Sequence, residues 1–215
     1  MSKTSSWSCA STVTQLLEHL SLGIFLYDRQ INSQESIAYN NSEGANNMNL
    51  KKPRVFVFCR QYLIPDFQEN VAPLADEFEF RFLTDGRRPG ISDTRARFYS
   101  RLETAATPKG FSLGDELDVV ERCRYLRNLP RNKALEMLRA MASVLEEELD
   151  LYRPHVVLAQ MVDEYITHLL SKMAERRGIF YVGYIYSYFP GRAQVVLFSD
   201  GRPLKVRDPS DLEVS

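Results

Sequence analysis

From residue 155 the chain reads HVVLAQ, then a stretch of helical pattern, then IFYVGYI at 179–185. Each short run is apolar on both alternating faces, the mark of a strand covered on both sides. A helix between two such strands makes a right-handed parallel crossover. The helix signals agree over about 164–176. Ile166, Leu169, Leu170 and Met173 line one side, Arg176 and Arg177 suit the negative end of the helix dipole, and Gly178 closes the helix. RVFVFC at 54–59 and FEFRFLTD at 78–85 repeat the pattern, with a helical segment at 67–78 that Pro73 restricts to short pieces. These runs predict an α/β fold, a Rossmann-like three-layer sandwich on a mostly parallel sheet. QVVLFSDGRPLKV at 194–206 adds an antiparallel hairpin turning on Asp200 and Gly201.

Between the two strand pairs the sequence is helical. Residues 92–107 read as helical or irregular, with Phe98 and Leu102 as core anchors. Ser112 and Asp115 have the spacing of a capping box, ahead of an apolar face of Leu113, Leu117, Val120 and Cys123. Leu135, Leu138, Ala142, Leu145, Leu149 and Tyr152 then recur at steps of three and four, a helix that should stop before Pro154. Near the start, a helix is predicted over 12–21, followed by the asparagine-rich NNSEGANNMN at 40–49, read as a linker or mobile loop. The domain is expected to span 51–215, with the helix and linker at 1–50.

Composition removes several functions. A net charge of −1 offers no bulk attraction to nucleic acid or anionic membrane. The apolar runs are too short to span a bilayer, and the opening MSKTSSWSCASTV lacks the apolar core of a secretory signal, so a cytoplasmic location is the expectation. Cys9, Cys59 and Cys123 share no ligand spacing, and His19, His155 and His168 are too few for a histidine-rich centre, so no metal is expected. Neither GxGxxG nor GxxxxGK[ST] occurs, which weighs against a nicotinamide cofactor or a P-loop, and no cofactor is assigned.

Ligands of open parallel sheets sit beyond the carboxyl ends of the strands. Four groups fall there: Arg60 to Tyr62, Asp85 to Arg88, Gln160 with Asp163 and Glu164, and Tyr186 to Arg192. For Asp163 and Glu164, helix capping competes with a role toward a ligand hydroxyl as acceptor or base. Ser187 and Tyr188 are positioned to line a pocket, and Arg192 has the chemistry for a phosphate or carboxylate. Arg87 and Arg88 suit an anion or simply solvent. Arg124, Arg127 and Arg131 would form a basic stripe if their stretch is one helix, and Glu146, Glu147, Glu148 and Asp150 offer an internal charge match. His155 lies at the amino end of its strand, away from the rim. His168, four residues past Glu164 on the same helical side, offers a Glu–His couple for proton transfer; lying more than one turn into the helix, it is expected at the surface instead. Cys59 has no visible activating base, and Cys123 is expected to pack within its helix.

The stretch 122–192 resembles the amino-terminal half of capsule or surface-polysaccharide glycosyltransferases with two Rossmann-like domains (the GT-B kind). The resemblance rests on the order of a long helix, a Pro-led HVVLAQ, VDEY, a helix ending AERRGI, and a strand running into YSYFPGR, with a weaker echo in KPRVFVFCRQY. It implies an acceptor-side domain facing a cleft. Asp163 and Glu164 would serve as catalytic carboxylates there, with Arg60, Gln160, Ser187 and Arg192 contacting substrate. The implied ligands are a sugar nucleotide and a saccharide acceptor. Such enzymes need a second, nucleotide-binding domain, so a missing carboxy-terminal domain or a partner protein is also expected. Two other readings stand beside it: a non-catalytic protein-interaction domain of the same fold, and a nucleotide-binding module.

Overall fold

The computed structural model describes residues 52–160, 164–186, 193–197 and 202–203, with only the backbone described from Tyr184 onward. Strand β1 (Arg54–Phe58) is the sheet's centre because its side chains are apolar on both faces and Val55 to Phe58 are all buried. β2 (Glu79–Thr84) and β4 (Val156–Gln160) flank it in parallel, with Val55 opposite Phe80 and Val156. The two-residue β3 (Ser92–Asp93) extends one edge in parallel, and β5 (Phe180–Tyr186) does so beyond β4. β6 (Ala193–Leu197) and β7 (Arg202–Pro203) close the other edge antiparallel, giving the order β3-β2-β1-β4-β5-β6-β7.

The chain steps away from β1 in both directions, and the helices divide accordingly. Helix α1 (Ile64–Val71) links β1 to β2 and packs Ile64, Phe67 and Val71 on Val55 and Val57. On the opposite face, Phe56 and Phe58 meet α2 (Arg95–Arg101), α3 (Leu113–Arg122), α4 (Arg131–Tyr152) and α5 (Tyr165–Arg176) in a second, larger core. This doubly wound, Rossmann-like sandwich follows from the handedness rule: right-handed crossovers running in opposite directions put their helices on opposite faces. They part between β1 and β4, and that parting opens a crevice at the carboxyl ends of the strands.

Local chemistry sets the ends of the elements. α1 begins earlier than its apolar pattern suggested, with Pro65 in the first turn, where a missing N–H costs nothing. Pro73 then turns the chain into a 3-10 segment over Ala72–Leu74. Ser112 caps α3: its hydroxyl accepts from the Asp115 N–H at 3.2 Å while Asp115 accepts from the Ser112 N–H at 2.8 Å. These Ser112 bonds, aided by Arg176, hold the Asp115 carboxyl down at about 2. α4 ends at Arg153, a left-handed residue with φ 48, directly before Pro154. The α4 carboxyl end is fixed low on the sheet, where the Tyr152 hydroxyl donates to the Glu79 carbonyl at 2.7 Å.

Buried carboxylates tie the helices together. Glu116 is fully buried on α3 and accepts a two-pronged bond from Arg139 of α4, both contacts at 2.8 Å. Glu148 is 1% exposed and sits between Arg97 of α2 at 2.6 Å and Arg81 of β2 at 2.9 Å. The acidic end of α4 therefore finds its partners in Arg81, Arg97, Arg101 and Arg177, and not in the expected basic stripe. That stripe is not one helical face. The chain leaves α3 at Cys123 in an extended conformation, makes a 3-10 turn over Leu126–Asn128, and re-enters a helix at Arg131. The sequence-predicted helix at 12–21 and linker at 40–49 lie outside the described residues, as do Asp200 and Gly201, although β6 and β7 do pair antiparallel.

Candidate functional site

The crevice is built by loops that leave β1 and β2 and by the first turns of α2 and α5. Arg60, two residues beyond β1, reaches across it in both directions. Its Nη1 donates to Asp85 Oδ2 at 3.1 Å, just past β2, and its Nη2 to Glu164 Oε2, at the head of α5. Residues 25 and 104 positions away in sequence are thus joined by one guanidinium, which suits such bridging because its donors lie in a fixed planar fork. Arg88 steadies the same corner by donating to the Gln61 carbonyl at 3.3 Å. Gly86 lies so close to Gln61 that an added Cβ would stand 2.2 Å from its Oε1.

Beside this bridge lies a cleft of about 400 Å³. Phe98, Met141 and Ile166 give it an apolar floor, while Tyr62, Arg95 and Tyr99 stand at its mouth. Tyr62 and Tyr99 are 69% and 61% exposed, unusual for rings this large and consistent with open stacking faces. Tyr165 lines the wall, and burial, reinforced by Glu164, pushes its phenol well above the ordinary range, so the hydroxyl keeps its proton and serves as a donor. Arg60, Arg95 and Asp85 line the cleft, with Glu164 behind Arg60 and Arg88 beside Gln61, so the described charges there leave a small positive excess, part of it held in the Arg60 bridge.

Of the sequence-predicted site residues, Arg60 and Glu164 come together. Glu164 is itself the N-cap residue of α5, yet its side chain makes no capping bond and turns to Arg60. Gln160 ends β4 at the same rim but does not line the cleft, and its carbonyl accepts from the Tyr181 hydroxyl at 3.3 Å. Asp163, Ser187 and Arg192 lie outside the described residues. His155 is at the amino end of the sheet, where its Nδ1 accepts from the Arg54 N–H at 3.0 Å. His168 is buried and not at the surface, because α3 covers that side of α5. Its Nε2 faces Asp118 at 3.6 Å while Glu164 faces Arg60, so the two form no proton-transfer couple. Burial, helped by Asp85, pushes the Cys59 thiol up to about 12, leaving it unreactive at neutral pH.

Arg95, Tyr99, Met141 and Tyr165 belong to the cleft although the sequence did not single them out. Arg95 and Tyr99 are four apart, on one face of α2, a spacing visible in the sequence. Their place at the rim depends on β3, whose two residues carry no strand signal. Among the described residues no cluster of His, Cys, Asp or Glu is arranged to hold a metal ion, and no helix is long and apolar enough to cross a membrane.

Fold and cleft together define a doubly wound α/β domain with a tyrosine-rimmed, polar crevice at its switch point. No protein-family model matches the chain, and neither curated proteins nor solved structures give a match.

Proposed function

We propose that this chain is a glycosyltransferase-like domain that holds a saccharide at the switch-point cleft, as the acceptor side of an enzyme of surface-polysaccharide assembly. The observation that carries the saccharide reading is the combination of exposed Tyr62 and Tyr99 with a hydrogen-bonding corner of Arg60, Asp85 and Glu164. Aromatic faces suit the apolar side of a sugar ring, and planar donors and carboxylates suit its hydroxyls. A nucleotide diphosphate is commonly cradled by a glycine-rich turn, and the loop after β1 reads CRQYL. The assignment to polysaccharide assembly rests on the resemblance over 122–192.

In this reading Glu164 orients an acceptor hydroxyl. Glu164 is engaged with Arg60, so proton removal falls to Asp163 or to a group on a second domain. Calorimetry of the full chain against neutral oligosaccharides and sugar nucleotides tests the proposal. Saccharide binding is expected, weakened about tenfold by Tyr99→Ala, in line with the roughly 0.5–1.5 kcal/mol that an aromatic contact adds beyond its buried area. Binding of a sugar nucleotide alone, or of neither, with the fold intact by circular dichroism, overturns it.

A further inference from the structure

α4 is longer than the sheet it covers. Its 22 residues extend about 33 Å, whereas the five residues of β4 extend about 17 Å. Tyr152 fixes its lower end beside the amino end of β2, and Met141, eleven residues earlier, is already at the cleft. The ten residues from Met141 back to Arg131 therefore rise about 15 Å above the cleft floor. The segment joining α3 to α4 is carried up with them. Cys123 and Tyr125 remain near enough to the Tyr165 hydroxyl, on the cleft wall, to influence its ionisation.

Among the described residues, this part of the chain carries both paired and unpaired cations. Arg122 pairs with Asp118, Lys133 with Glu136, and Arg139 with Glu116. Arg124, Arg127 and Arg131 are exposed and make no ion pair among the described residues, and Tyr125 beside them is 58% exposed. The cleft thus lies below a ledge bearing three arginines without an ion pair among the described residues, with Glu121 three residues before Arg124. We propose that the Arg124, Arg127 and Arg131 ledge binds the carboxylates of an acidic saccharide chain whose end occupies the switch-point cleft. The inference rests on the saccharide reading of that cleft and adds the substrate class, an anionic polymer such as a polyuronate. Guanidinium groups recognise carboxylates through paired donors, and Tyr125, next to Arg124 in sequence, adds an exposed ring.

The test is calorimetry of the full chain with oligogalacturonate and with a neutral malto-oligosaccharide of equal length, at about 50 mM and about 200 mM salt. A triple variant, R124Q/R127Q/R131Q, is measured in parallel; all three positions are exposed, so its fold is expected to survive. The acidic oligomer should bind more tightly than the neutral one and weaken with salt. The triple variant should lose about tenfold toward the acidic oligomer and leave neutral binding unchanged. Equal affinity for the two oligomers, or an unaltered triple variant, refutes the ledge while the cleft reading stands. Failure of both oligomers to bind refutes the two together. Binding of a single-stranded oligonucleotide of matched charge as tightly as the oligogalacturonate would also refute it, showing a surface for polyanions in general.

Discussion

Acidification should destabilise this domain well before its carboxylates titrate, and His168 is the reason. The imidazole is 2% exposed between α5 and α3, with no hydrogen-bond partner on Nδ1. Burial drives its pKa down to about 4; the opposing pull of Asp118 is itself countered by Lys172 and Arg122. The folded protein therefore prefers neutral His168, whereas the unfolded chain takes up a proton near the ordinary value of 6.5. Between those two values the unfolded state binds more protons, so stability is complete above about pH 6.5 and falls as the pH drops toward about 4. At about 1.4 kcal/mol per pH unit the full effect is about 3 kcal/mol, a large share of the 5–15 kcal/mol typical of a domain. Asp115, held at about 2, adds its own loss only at lower pH, below its ordinary value of 3.8. Urea unfolding of the full chain from pH 7.5 to 4.5, for wild type and His168→Leu, measures the effect. The variant should flatten the acid slope and change stability at pH 7 by less than about 1 kcal/mol, since leucine removes a buried polar atom that lacks a partner. An unchanged slope in the variant would show that His168 is not the group responsible.

Three further outcomes follow from packing and capping. Ser112→Ala should cost about 1 kcal/mol in urea unfolding by removing the hydroxyl that accepts from the Asp115 N–H, while the bond from the residue 112 N–H to the Asp115 carboxylate remains. Glu116→Gln should cost about 2 kcal/mol, less than the 3–5 kcal/mol of a fully buried pair, because the Arg139 side chain is 29% exposed and keeps some solvent. Arg153→Gly should raise the thermal midpoint, since glycine adopts φ 48 without the strain an L side chain meets there.

Parts of the fold were legible because they depend on neighbours in sequence. The HVVLAQ–helix–IFYVGYI unit, the Ser112 cap and the end of α4 before Pro154 are local signals, and each lies where its chemistry indicates. Other features depend on sheet order. Arg60 meets Glu164 only because β1 and β4 are neighbours, and no periodicity spans the 104 residues between them. β3 is too short to show a pattern, so α2 and its Arg95 and Tyr99 were not connected to the rim. His168, more than one turn into its helix, reads as a surface residue from the sequence and is buried in the fold. The second layer, α3, buries part of the polar side, a fact belonging to α3's position and not to α5's composition. The break at Cys123 was hidden because residues on both sides keep helical spacing.

The account depends on the cleft beside Arg60 being a saccharide site. The most direct measurement is a two-dimensional amide NMR titration of the isotope-labelled full chain with a neutral oligosaccharide. Amides of Arg60, Gln61, Asp85, Arg95, Tyr99 and Glu164 should shift together on one saturation curve, because the fold brings these separate segments to one rim. No shifts at millimolar ligand, or shifts confined to the α1 face around Phe67 and Leu74, would contradict it.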